Sequence, residues 1–396
     1  VLHWLARWIR IKRISMRRWP GSLIAVVLAS LVVACDSSTG TLHIPPPPEP
    51  PPTGVANLYV LAPGMPVGVA VPAGSAANSM LTSSVRRDIV DAHFSQVTAE
   101  NIMKPSYLRP AAGEFFFDDA DALVDYAAST GKTVHGHTLL WHRQLPDWMT
   151  NFLGDEAAWT AMMIDHVDGV ATHFSARDIV VSWDVVNEAF ADRDADGDGF
   201  YDLRSTIWSD NVGPDYVELA FVTARGADAN AHLYYNDYNI AGVPGKLDTV
   251  LDMVRRFQTD GIPIDGIGFQ MHVNLDWPGI DRVRNAFAQA AATGLRVKIT
   301  ELDVTLNTDS DGNSLGATVL TDALAQQQET RVREIVAAYL DAVPAAQRGG
   351  ISVWGIADVD SWRRSRNEYE WPLLFDDNFI AKPALQGFAD ALSGSP

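Results

Sequence analysis

The stretch WDVVNE, Trp183 to Glu188, decides how this chain is read. With the preceding DIVV, Asp178 to Val181, it forms a nearly unbroken apolar run that ends on an amide and a carboxylate. Burying Asn187 and Glu188 without partners costs free energy. A strand that finishes on them either caps a following helix or opens onto a site.

From Val55 onward the same kind of run recurs. Strand candidates fall at 67–71, 94–98, 133–137, 179–185, 232–237, 266–271, 296–301 and 351–355. Helix candidates lie between them, around 80–92, 119–130, 156–174, 214–229, 246–260, 280–293, 320–342 and 384–392. DDADALVDYAAST shows the helical pattern: an acidic start, apolar residues three and four apart, and Gly131 at the close. Eight strands alternating with eight helices predict an α/β fold, the (β/α)8 or TIM barrel. Several strand runs show little alternation, as parallel strands covered on both faces do. The rival is a doubly wound open sheet, which carries G-x-G-x-x-G after its first strand. Here PAGSAANS follows instead.

A barrel places its active site at the C-terminal ends of its strands. Polar residues collect there. The second strand runs into Glu100, Asn101 and Lys104. The third carries His135 and His137, with Trp141 and His142 beyond, and the fourth ends in Asn187 and Glu188. The fifth runs into Asn236, Asp237, Tyr238 and Asn239, the sixth into Gln270 and His272, and the seventh into Glu301 and Asp303. The eighth reaches Trp354, and Trp362 follows. Helix capping favours Ser, Thr, Asp and Asn. It does not explain Lys, Gln, Trp and two Glu. Two glutamates aimed into one mouth, with His, Asn, Gln and tryptophans around them, suit glycoside hydrolysis. One carboxyl must then stay protonated and the other ionised, so their environments must differ.

The motifs ENIMKP, GHTLLWH, WDVVNE, YYNDYN, GIGFQMH, ITELDV and VWGIADVDSW closely resemble those of glycoside hydrolase family 10. These are retaining endo-β-1,4-xylanases on a (β/α)8 barrel. The resemblance runs from about residue 67 to 388, with the motifs in order. It implies xylan and xylo-oligosaccharides as substrates and no cofactor for the chemistry. It makes Glu188 the general acid/base and Glu301 the nucleophile of a covalent glycosyl-enzyme, a route that needs the carboxyls about 5–5.5 Å apart. It puts Asn187 on the sugar 2-hydroxyl and Gln270 facing the same sugar. His272 would touch Glu301, with Asp303 fixing the His272 ring. Glu100, Asn101, Lys104, His137 and Trp354 fall to the non-reducing-side subsites. Trp141 lies near Glu188, Trp362 closes over the reacting sugar, and Tyr238 and Asn239 sit on the leaving-group side. His142 and Asp184 read equally well as structural groups. Two places depart from the family pattern: His135, where many relatives carry a basic residue, and the charged loop RRSRNEYEWPLLF.

Just past Glu188, DADGDGFYDLRS places Asp194, Asp196, Asp198, Gly199 and Asp202 at positions one, three, five, six and nine of a calcium loop. Ser205 stands at twelve, where a bidentate Glu belongs. The loop is either a structural calcium site or an acidic solvated turn.

The N-terminal segment reads differently. RWIRIKRISMRRWP is basic, and Gly21 to Ala34 is apolar but shorter than a membrane-spanning helix of about 20 residues. Residues 1–34 read as a signal peptide, and LVVAC resembles a lipobox with Cys35, the single cysteine, as the lipidated residue. An ordinary signal peptide is the alternative. IPPPPEPPPTG then holds seven prolines within eight residues, a stiff polyproline tether over 35–54. The expected arrangement is an exported, membrane-anchored or secreted monomer with its catalytic domain at 55–396. The six basic residues before Cys35 leave 24 against 49 acidic in the remainder, a net of -25 from an overall -19. Such a surface repels phosphates and argues against nucleic acid.

Rival functions remain open at this level. HGH resembles the H-x-H of metal-dependent barrel hydrolases, although it follows the third strand. A β-1,4-glucanase or mixed-specificity glycosidase could use the same scaffold. A non-catalytic surface glycan-binding lipoprotein is a third reading, which the presence of both carboxylates does not favour.

Overall fold

The computed structural model describes residues 54–394, so the expectations for the signal peptide, Cys35 and most of the proline-rich tether lie outside the described residues. Eight parallel strands form the inner wall: β1 (Val67–Val71), β2 (Gln96–Ala99), β3 (Thr133–Leu140), β4 (Val180–Asn187), β5 (His232–Asp237), β6 (Gly266–Phe269), β7 (Arg296–Thr305) and β8 (Arg348–Val353). Each pairs with the next, and β8 pairs back onto β1 through Val67 opposite Ile351, which closes the barrel. Eight helices follow the strands: α1 (Ser84–His93), α2 (Asp118–Ser129), α3 (Glu156–Ser175), α4 (Tyr216–Ala227), α5 (Pro244–Asp260), α6 (Ile280–Ala291), α7 (Asp322–Ala342) and α8 (Pro383–Ser393). The (β/α)8 expectation holds, strand by strand and helix by helix. Among the described residues no helix is long and apolar enough to cross a membrane.

Local chemistry sets these boundaries. Asp155 caps α3 by accepting from Ala158 N at 2.9 Å. Pro244 opens α5, and Gly261 closes it with φ 73°. Between β3 and β4 the period-two alternation sorts side chains by face. Trp183 points out against Phe174 of α3, with ring centroids 5.9 Å apart. Gly136 lies opposite it in register, and a Cβ there would sit 2.2 Å from the Trp183 ring. Glycine between the two histidines is therefore a packing requirement. It leaves His135, His137, Ser182 and Asp184 facing inward together. Farther along, the register of β4 on β5 shifts between Asp184 and Val186. That irregularity turns Asn187 inward as well, three residues after an inward Asp184.

Two expectations need correction. The sixth strand ends at Phe269 rather than residue 271, because Met271 takes φ 59° and leaves the pleat. A separate strand, His272–Asn274, then pairs with Asp303–Thr305 on an extension of β7, making nine strands among the described residues. Four single-turn helices, at Leu58–Leu61, Pro105–Leu108, Asp147–Thr150 and Ile207–Asn211, went unanticipated because they are too short to show a helical period.

Candidate active site

The mouth of the barrel is built around one amide. Asn187 Oδ1, at the tip of β4, accepts from Asn236 Nδ2 at 3.0 Å and from Gln270 Nε2 at 3.1 Å. Each donor spends its other N–H on a carboxylate. Asn236 reaches Glu301 Oε1 at 2.7 Å, and Gln270 reaches Glu188 Oε1 at 3.0 Å. Thr300 donates to Asn236 Oδ1 at 2.7 Å, which fixes which end of that amide is the donor. Glu188 and Glu301, 113 residues apart in the chain, are thus tied to a common point. They are 9% and 4% exposed.

Glu301 is hydrogen-bonded on both of its oxygens. His272 Nε2 lies 3.1 Å from Glu301 Oε2, and its Nδ1 lies 2.8 Å from Asp303. Burial alone would lower the pKa of His272, but Asp303 and Glu301 outweigh it and raise it to about 9. The ring is then an imidazolium that donates from both nitrogens. Asp303 also accepts from Trp362 Nε1 at 2.9 Å and from the Arg363 guanidinium at 3.0 and 3.1 Å. Burial pushes Asp303 up, yet Arg363 and His272 hold it down to about 2.

Glu188 meets the opposite balance. Burial raises its pKa, the Gln270 hydrogen bond opposes this, and the charges of Asp237 and Glu301 push it higher. Its backbone has φ 58°, a conformation that non-glycine residues rarely take. The His142 ring stands 3.8 Å from its Oε2 and is held neutral, lowered to about 4 by burial and by Arg204 and Arg143. The Trp141 indole adjoins Glu188 and faces Lys104, whose ammonium lies 4.9 Å from the ring centre.

The remaining candidates line the walls. His137 Nδ1 bonds Asp184 at 2.9 Å, and His135 Nε2 lies 3.1 Å from the other Asp184 oxygen. Burial would raise Asp184, but the two imidazoles pull it well below the usual carboxylate range. Asp184 is thus the holder of both rings. Donor atoms of His137, Asp184 and Glu301 fall within 4.8 Å of one another, but the His137–Asp184 hydrogen bond already uses His137 Nδ1 and one Asp184 oxygen, and the His135 ring faces the other. Trp354 meets His137 and His272 edge-on at 5.1 and 6.3 Å. Lys104, lowered to about 8 by burial against the pull of Glu301, Glu100 and Glu188, donates to Asn101 at 3.3 Å. Glu100 is raised by burial, with Lys104 opposing. Tyr238 directly follows β5. Its hydroxyl is taken by Asp192 and Arg204, so only its ring is left for a sugar, and Asn239 beside it is exposed.

Two carboxyls at the tips of β4 and β7, one hydrogen-bonded by an imidazolium and an amide and the other raised by burial and neighbouring negative charge, suit glycoside hydrolysis. The family model described as glycosyl hydrolase family 10 matches residues 57–391. The chain belongs to glycosyl hydrolase family 10. It is 45% identical over 356 residues to endo-1,4-beta-xylanase A of Cellvibrio japonicus, covering 86% of this chain and 57% of that protein. It is 34% identical to exoglucanase XynX of Acetivibrio thermocellus over 84% of this chain and 29% of that protein. A mutant of xylanase 10C from Cellvibrio japonicus, solved with xylopentaose, superposes with a TM-score of 0.82 at 43% identity, over 87% of this chain and 70% of that one. The chain spans under three fifths of the length of the first two curated relatives it matches.

Within this family 10 site, sequence reasoning missed Arg363, Thr300, Arg204 and the part played by Asn236. Asn236 carried a signal, since it sits at a strand tip and pairs in register with Asn187. Arg363 carried none, because it comes from a single 3-10 turn in the charged loop after β8. In the aspartate loop, Asp194, Asp196 and Asp198 bring oxygens within 4.8 Å of one another, and these hard carboxylate donors suit calcium. Asp202 does not join them. Its carbonyl accepts from Ala191 N at 2.9 Å, and the Phe190–Leu203 bridge returns the chain to the rim there. The Ser205 hydroxyl donates to Asp210 at 2.8 Å.

The His272 cluster predicts a pH signature. Its folded pKa is raised from 6.5 to about 9, so its stabilisation is complete below pH 6.5 and is lost as pH rises to about 9. The wild-type melting temperature should therefore fall across that window. The His272→Gln variant should start lower and decline less. Parallel curves for the two proteins would remove His272 as the cause.

Proposed function

We propose that this chain is a retaining endo-β-1,4-xylanase acting on xylan and xylo-oligosaccharides. The geometry that carries the reading is a pair of buried carboxyls at the tips of β4 and β7, Glu301 receiving hydrogen bonds from Asn236 and His272 and Glu188 from Gln270. Glu301, fed by Asn236 and the His272 imidazolium, attacks the anomeric carbon as nucleophile. Glu188, whose pKa burial and neighbouring charge raise, gives its proton to the departing glycosidic oxygen. Glu188 then takes a proton from water, which attacks the glycosyl-enzyme and returns the original anomeric configuration. Protons balance between Glu188, water and the sugars, so the chemistry asks for no cofactor. Asn187 offers its unshared NH2 to the 2-hydroxyl, a contact that strengthens in the transition state. Lys104, Glu100, Asn101, His137 and Trp354 bind the non-reducing side, with Trp362 over the reacting sugar, Trp141 beside Glu188 and Tyr238 toward the leaving group. Relatives named as xylanases and the xylopentaose complex of one of them support the substrate. The exoglucanase name of another supports a β-1,4-glucanase as the second reading.

Reducing-sugar release should be high on xylan and low on carboxymethylcellulose; the reverse order would replace this reading by the second. Glu301→Ala should abolish turnover on every substrate. Glu188→Ala should retain glycosylation on aryl glycosides with good leaving groups, and an equal loss on all substrates would contradict its role.

The aspartate loop supports a structural calcium held by Asp194, Asp196 and Asp198, ordering the chain beside Glu188. Calcium added to chelator-stripped protein should raise the melting temperature and give a binding heat. Absence of both would leave the loop as a solvated turn.

The lipobox-like LVVAC and the following proline run support export and lipidation at Cys35, with the barrel held off a membrane. Cys35→Ser should then move the protein from the membrane to the soluble fraction; an unchanged distribution would remove the anchor.

A further inference from the structure

Glu188 is held in a left-handed backbone conformation, φ 58°, at the point where the chain leaves β4. Glutamate does not adopt this conformation unaided, so neighbouring groups must impose it. The next amide shows how. Ala189 N donates to no carbonyl; it donates to the hydroxyl of Tyr235 on β5 at 3.1 Å. Tyr235 is fully buried, and its own proton goes to Asp237 Oδ2 at 2.6 Å. The other oxygen of Asp237 accepts from Lys246 Nζ at 2.7 Å and from Tyr238 N at 2.8 Å. Asp237 and Lys246 are 0% and 1% exposed.

The polarity of this chain of contacts is determined by its far end. A phenol has one proton to give. With an ionised carboxylate below it, the Tyr235 proton points down and its lone pairs face the Ala189 N–H. Lys246 opposes the upward push of burial on Asp237 and so favours that ionised state. Were Asp237 neutral, the Tyr235 hydroxyl could turn its proton toward Ala189, and the grip on the turn would be lost. On the other side of the same turn, Arg204 donates to the carbonyls of Glu188 at 3.3 Å and Phe190 at 2.9 Å.

We propose that Tyr235, oriented by the buried Asp237–Lys246 pair, is a positioning residue that aims Glu188 through the Ala189 amide. The proposal rests on Glu188 being the general acid. A buried ion pair is weak evidence of added stability, since desolvation offsets its attraction. Fixing the direction of one hydroxyl beside a reacting carboxyl is a use that its cost does not cancel. A general acid a fraction of an ångström out of line fails first where the leaving group needs its proton most.

The test is Tyr235→Phe, which keeps the ring and its 5.7 Å contact with Phe190 and removes only the hydroxyl. kcat/KM would be measured on aryl xylobiosides of graded leaving-group acidity. The expected loss is at least about tenfold larger on the phenyl than on the dinitrophenyl substrate, part of the about 10²–10⁴ that general acid catalysis supplies. A uniform loss across the series, or no loss, overturns the proposal, because a merely structural role would not track leaving-group acidity. Lys246→Met should show the same slope to a smaller degree and serves where Tyr235→Phe folds poorly. Glu188→Gln in the same series separates the two claims. If it shows no leaving-group dependence, the acid assignment fails, whatever Tyr235 does.

Discussion

The Asn187 amide oxygen accepts two hydrogen bonds, and each donor goes on to one carboxylate. Much of the mouth depends on this sharing. A buried amide oxygen with two acceptor sites can satisfy two N–H groups at once, and Asn236 and Gln270 then have one N–H left apiece. Glu188 and Glu301 receive those hydrogens. Five polar side chains from four strand ends are thereby joined in one network, at a depth where an unpaired one would be costly. The same contacts hold the two carboxylates at a fixed separation, which the proposed chemistry requires.

Around this hub the charges are distributed unevenly. On the β7 side, Arg363 neutralises Asp303, Asp303 holds His272 charged, and His272 donates to Glu301. On the β4 side, burial and the charges of Asp237 and Glu301 act on Glu188, with Gln270 and Trp141 opposing them. Loops add to what the strands supply. Arg363 and Trp362 enter from beyond β8, while the turn after Glu188 is held by Arg204 and Tyr235. Burial and the charge of Asp237, the last residue of β5, raise the proton affinity of Glu188.

Much of this is legible in the sequence alone. Strand runs ending on Glu, Asn, Gln and Trp placed the mouth, because a barrel offers polar groups a site only at its rim. The helices were equally legible, since amphipathic spacing and terminal glycines such as Gly131 mark them. Boundaries slipped where backbone geometry overrode side-chain pattern, as at Met271, whose positive φ no hydropathy pattern announces. Arg363 and Arg204 stayed hidden for another reason. Both act over long chain distances from irregular loops, and an arginine in a charged loop looks the same whether it is solvated or clasps a buried aspartate. Asp184 could be read either way until His135 and His137 were seen to share it.

The central claim is that burial and the neighbouring charges of Asp237 and Glu301 raise the proton affinity of Glu188. The direct measurement is a carbon-13 NMR titration of side-chain-labelled glutamates, with Glu188 assigned by substitution. The account predicts that Glu188 titrates above the ordinary glutamate value of 4.5 and falls toward it in Asp237→Asn. A Glu188 that titrates at or below 4.5 in the wild type would contradict it.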